Sequence, residues 1–125
     1  LDFPKCYSIT DQGIHNLCSN GLKYLPQLTS FTLNLTQCYQ ITDEGMKILV
    51  FQGLKHLARL SSLDMNFSEC KEITDEGLNT LVFQGLKHLP QLTFLHVKLH
   101  YCRQITMFTI NQITRVLQYF GFKEI

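Results

Sequence analysis

No run of this sequence approaches the roughly 18–20 apolar residues that cross a bilayer, so a membrane-spanning helix is not expected. The opening residues, LDFPKCYSITD, hold no basic segment followed by an apolar one, and no signal peptide is expected either. Charge is scarce: 17% of the 125 residues are Asp, Glu, Lys or Arg, and the formal net charge is +1. Such a chain has no strong field of either sign to steer nucleic acid or an anionic membrane. There are five cysteines and no C-x-x-C pair, which argues against a zinc site and against a disulfide scaffold. The glycines are dispersed, so no phosphate-binding loop is formed, and no Ser or Cys has a His and a carboxylate in a nucleophile's arrangement. Neither an enzyme nor a cofactor is therefore expected. An initiator methionine is also lacking, and the expectation is a processed product or a piece of a longer repeat protein.

Repetition is what the chain does have. QITDEGMKILVFQGLKHL, from Gln40, returns as EITDEGLNTLVFQGLKHL, from Glu72. Cys6, Cys38, Cys70 and Cys102 fall at intervals of 32, and only Cys18 lies off that ladder. The same interval relates Ile9-Thr10-Asp11, Ile41-Thr42-Asp43 and Ile73-Thr74-Asp75; Gly13, Gly45 and Gly77; and Gly21, Gly53 and Gly85. Evenly spaced single cysteines read as one repeat position filled four times by a small buried hydrophobe, in a reducing compartment.

Each unit changes its apolar period once. Met46, Leu49, Val50, Gly53, Leu54 and Leu57 recur as one face of a helix. Thr42 or Asp43 stands ahead as an N-cap, with Glu44 in the first turn. The recurrent Gly53 predicts either close packing or a helix broken into short pieces. Leu28, Phe31, Leu33 and Leu35 then shift towards period two, a short strand whose alternate residues Ser30, Thr32, Asn34 and Thr36 are polar. A strand and a helix per fixed period is the leucine-rich-repeat plan, in which neither element buries its apolar side alone and stacking makes a continuous core. The expected fold is α/β: a right-handed solenoid of about four 32-residue units, starting at Cys6, Cys38, Cys70 and Cys102, with a parallel sheet on the concave side and helices on the convex side.

CYQITDEGMKIL and CKEITDEGLNTL resemble the cysteine-containing leucine-rich repeats of F-box adaptor proteins, whose units read C-x-x-I-T-D-x-G-L-x-x-L. The resemblance covers residues 1–106. The F-box units are shorter, and long units ending in L-x-x-L-x-L-x-L-x-x-C resemble those of large protist and ciliate proteins. What the resemblance implies is a protein-binding scaffold. No F-box motif is present in this chain.

The ends differ from the middle. Leu1-Asp2-Phe3 aligns with Leu33-Asn34-Leu35. An apolar first strand without a cap is an aggregation hazard, so further units, a cap, a partner or a second copy is expected to cover it. In the fourth unit Met107 replaces the Asp and Thr109 the Gly. Residues 106–125 are expected to form a C-terminal capping helix lined by Phe108, Ile110, Ile113, Val116, Leu117 and Phe120 and ending near Gly121.

Partner binding is expected on the polar strand face: Thr32 and Asn34; Asp64 and Asn66; His96, Lys98 and His100, with Phe94 and Tyr101 adding aromatic character at the late end. The competing view is a merely solvated sheet face. His96 and His100 share that face with Asp64, but a metal needs three or four converging ligands and the thiols point the other way, so no metal is expected. Phe51 and Phe83 are expected to fill the gap between adjacent helices; an outer docking ridge is the alternative. His56 and His88 are expected as solvated residues at helix ends. Asn34-Leu35-Thr36 and Asn66-Phe67-Ser68 fit the N-glycosylation pattern, yet both fall inside strands and modification is not expected.

Three functions follow. The first is a non-catalytic scaffold that docks a protein partner on the concave sheet, in the cytoplasm. The second is a structural subunit of a cytoskeletal, ciliary or self-associating assembly, joined through the uncapped first strand and the terminal helix. The third is a substrate adaptor of a ubiquitin ligase.

Overall fold

The computed structural model describes residues 8–121. The aligned strand at Leu1-Asp2-Phe3 and the thiol of Cys6 lie outside the described residues. So do the last four positions of the expected capping helix.

The described residues form an α/β fold with a small, open, parallel sheet. Its strands β1 (Ser30–Asn34), β2 (Ser62–Asn66) and β3 (Phe94–Lys98) lie side by side in chain order. The register follows the sequence interval: Phe31 lies opposite Leu63 and Leu63 opposite Leu95, while Thr32, Asp64 and His96 form the next row. Period-two alternation sends Leu33, Met65 and Val97 inwards, where each is fully buried. Helices α1 (Asp11–Asn20), α2 (Asp43–Ile48), α3 (Asp75–Asn79) and α4 (Met107–Tyr119) complete the architecture. One apolar cluster runs from Ile14 through Phe31, Met65 and Phe67 to Ile113 and Leu117, and joins the helices to the sheet. Each Leu-sized side chain buried there contributes about 1.5–3 kcal/mol.

The helical face predicted in the second unit is the buried one: Met46, Leu49, Val50, Gly53, Leu54 and Leu57 all face the core. The helix itself is not continuous. After α2 the chain widens into a π-turn over Leu49–Gly53 and tightens into a 3-10 turn over Leu54–His56. Thr80–Gln84 and Leu86–His88 repeat the sequence of turns after α3. Both expectations for Gly53 hold together. The helix is broken there, and a β-carbon at Gly53 would lie 2.8 Å from the Cys18 sulfur of the preceding unit.

The recurrent Ile-Thr-Asp triplet explains how one unit joins the next. The Asp11 carboxylate accepts the Thr42 N–H (2.9 Å) and the Thr42 hydroxyl. Asp43 receives Thr74 in the same way (N–H at 2.8 Å), and Asp75 receives Thr106 (both bonds 2.8 Å). Each threonine oxygen is then oriented to accept a helix N–H: Thr42 from Glu44, Thr74 from Glu76, Thr106 from Thr109. Of the two candidate caps in each triplet, threonine is the N-cap and aspartate holds the following unit. The glycine two residues on is required by this contact. A β-carbon at Gly45 would strike the Asp11 carboxylate, and one at Gly77 would strike that of Asp43. In the fourth unit Met107 has no carboxylate to extend the series.

Candidate functional site

The exposed face of the sheet is built from the alternate residues that the core does not take. Neighbouring strands stand about 4.8 Å apart, so three cross-strand rows form one patch. Ser30, Ser62 and Phe94 make the first row, Thr32, Asp64 and His96 the second, and Asn34, Asn66 and Lys98 the third.

Not all of these groups are available to a partner. The Asn34 side-chain oxygen accepts the Thr36 N–H (3.1 Å) and hydroxyl (2.7 Å), and that of Asn66 accepts the Ser68 N–H (2.9 Å). These are Asx turns that close the strand ends. Asp64 pairs with His96 at 3.2 Å across the strands. Gln37 donates to Glu69 at 3.0 Å in the same manner. The remaining candidates gather on the β3 side: Lys98 and His100 are exposed, Phe94 is 50% exposed and Tyr101 82%. In the third row Lys98 stands where the turn-forming asparagine stood, so its charge is not spent on the turn.

Gln37, Glu69 and Tyr101 share a left-handed backbone, with φ between 60° and 62°. Each is the third residue of a turn closed by the following cysteine: Cys38 N–H reaches Leu35 C=O (3.1 Å), Cys70 reaches Phe67 (3.0 Å), Cys102 reaches Leu99 (3.3 Å). A type II turn demands positive φ at that place and favours glycine there. Each non-glycine residue holds this conformation at a cost of roughly 1–2 kcal/mol; Gln37 and Glu69 are half-buried in it, whereas Tyr101 is exposed.

The thiols serve the interior. Cys70 donates to Leu35 C=O and Cys102 to Phe67 C=O, both at 3.1 Å, so the sulfur of one unit meets a carbonyl of the unit before it. Burial pushes the Cys18 thiol up to about 11 and Cys70 up to about 12, and raises Cys102 as well. A thiol with a raised value is neutral in the fold and ionises first in the unfolded chain. Stability held below pH 9 is therefore lost as pH climbs from about 9 towards 12. Cys18→Val removes one such group at a position where Val50 and Val82 stand in the other units. Urea unfolding at pH 8 and pH 10.5 should show a smaller alkaline loss in this variant than in the parent. An identical loss would clear the thiol.

Phe51 and Phe83 are partly exposed, and Phe51 meets the His88 ring of the next unit edge-on at 6.4 Å. Phe51 thus bridges two adjacent units rather than filling a closed gap. The Asp–Thr connection went unpredicted, although three in-phase carboxylates, each two residues before a glycine, were its trace. Among the described residues no group of three His, Cys, Asp or Glu side chains is placed to hold a metal ion, and no helix is long and apolar enough to cross a membrane. No protein-family model matches the chain, and no curated protein matches it.

Proposed function

We propose that this chain is a leucine-rich-repeat scaffold of the cysteine-containing type, a right-handed solenoid of about four units that binds a protein partner on the exposed face of its parallel sheet. The 32-residue register between strands and the shared apolar cluster support the architecture. One observation carries the binding role: two exposed aromatics, Phe94 and Tyr101, bracket Lys98 and His100 at the β3 side, while most other polar groups of the face are engaged. Aromatic anchors beside a cation are the composition of interface hot spots. A standard interface covers about 800 Å² per partner, so the strand-exit turns contribute along with the strands. The four described cysteines are buried and none forms a disulfide among the described residues, which suits a reducing compartment, and the cytoplasm is the proposed location.

The test is selection of ligands from a displayed peptide library, followed by re-testing on two double variants. Ligands of the sheet face should lose about tenfold or more in affinity on Phe94→Ala/Lys98→Glu and keep it on Phe51→Ala/Phe83→Ala. The reverse pattern would move the site to the helices.

A structural role in a larger assembly is the second reading. It is favoured by Met107, Phe108, Tyr119 and Phe120, all exposed on or beside α4, and by an apolar groove of about 470 Å³ between Phe83, Leu86, Val116 and Phe120. Concentration-dependent oligomers in sedimentation, unaffected by Phe94→Ala, would support it.

A further inference from the structure

We propose that the outer side of β3 is a docking edge for an extended acidic segment of a partner protein, added as a parallel strand beside Phe94–Lys98. The proposal rests on the sheet-face reading and names the partner's form.

A recurrent set of backbone groups carries each strand to the next. Thr29 C=O accepts the Ser61 N–H (2.8 Å), and Ser61 C=O accepts that of Thr93 (2.9 Å). Leu35 N–H donates to Asn66 C=O (2.8 Å), and Phe67 N–H to Lys98 C=O (2.9 Å). Gln37 N–H donates to Ser68 C=O (2.9 Å), and Glu69 N–H to His100 C=O (2.8 Å). The third copies of this set are Thr93 C=O, Leu99 N–H and Tyr101 N–H. None of the three has a hydrogen-bond partner among the described residues. They repeat, in spacing, the groups that already bind a parallel strand twice in this molecule. Main-chain bonds of this kind supply affinity in strand addition, and alternate side chains supply specificity.

The charge of the row selects the occupant. The β3 side carries His96, Lys98, His100 and, past the turn, Arg103, and it carries no carboxylate between Phe94 and Arg103. The nearest acids, Asp64 and Glu69, lie on the other side and are engaged by His96 and Gln37. The Asp64–His96 pair shows what a neighbouring strand does here: it offers a carboxylate across the strands to a β3 side chain. A segment on the free side with acidic residues alternating with apolar ones would place its carboxylates against Lys98 and His100. A second copy joined through its β1 row would bring Ser30, Thr32, Asn34 and Thr36 to the edge and no carboxylate.

The experiment uses a fluorescein-labelled peptide of alternating leucine and aspartate, with two N-methylated forms blocked on one edge or on the other. Anisotropy with the whole chain should show binding of the parent peptide. One methylated form should retain it and the other should lose about tenfold or more, because only one edge faces β3. Lys98→Glu should weaken the parent peptide by about tenfold or more without changing the circular dichroism of the protein. Equal binding of both methylated forms would overturn the edge while leaving the sheet face intact, since charge alone would then hold the peptide. Absence of any binding would overturn it too, and the library selection would still decide the face. A dimer formed through the same edge without peptide would assign it to a second copy and overturn the acidic partner.

Discussion

Phe67→Ala is expected to lower folding stability by about 3–5 kcal/mol, a large share of the roughly 5–15 kcal/mol that holds most domains together. Phe67 is fully buried and heads the fully buried side chains by volume. Its backbone is a junction between units: the N–H donates to Lys98 C=O (2.9 Å), and the C=O accepts both the Cys70 N–H (3.0 Å) and the Cys102 thiol (3.1 Å). Walls pinned by such bonds cannot close over the space a phenyl ring vacates. The upper half of the range is therefore the expectation. Phe67→Leu is the control, because Leu35 and Leu99 occupy the same position in the neighbouring units. It should cost about 1 kcal/mol, in line with hydrophobic swaps that keep most of the volume. Urea titration of the two variants measures the difference. If alanine and leucine proved equal, the central position of Phe67 in a continuous core would be wrong.

The second large effect concerns the aspartate–threonine joint. Asp43→Ala should cost about 2 kcal/mol, since it removes an ionised acceptor from the Thr74 N–H and hydroxyl and frees the hydroxyl that caps α3. Gly77→Ala should cost a comparable amount for a different reason. Its methyl group would displace the same carboxylate and crowd the Asp43 α-carbon, 3.3 Å from where the methyl carbon would sit. The two losses share one object, so they should not add. In the double variant the methyl group meets no carboxylate, and a double-mutant cycle should return a coupling of about 1 kcal/mol or more. Additive losses would mean that glycine and aspartate do not act on each other.

The parts of the molecule that repeat were the easiest to predict. Strand position and facing followed from the alternation at Phe31, Leu33 and Leu35, and the buried helix face from Met46, Leu49 and Val50. Thiol burial followed from the even spacing of the cysteines. What escaped was whatever depends on a neighbour's atoms. A carboxylate and a hydroxyl are equally good helix caps, so Thr42 and Asp43 were indistinguishable until the next unit supplied Thr74 as a second customer for the acid. An apolar period of three and four fits an α-helix and a π-turn alike, and the widening at Leu49–Gly53 left no mark on composition. Asn34 and Asn66 were placed on the polar face correctly, but their role as turn closers depends on Thr36 and Ser68 two residues on. That spacing was visible in the glycosylation pattern and was assessed only for sugar attachment. The candidate face accordingly narrows from nine residues to the group around Phe94, Lys98, His100 and Tyr101.

The joint built from the Ile-Thr-Asp triplet also has a direction. Each module gives an acid forwards and takes one from behind, like a chain of hooks and eyes. Slippage of a gene by one whole period would leave every hook matched to an eye, whereas slippage by any other length would strand both. Length can thus drift in complete steps of 32 residues with no new seam to invent, and a module lacking the acid, as the one with Met107 does, marks where the linkage stops.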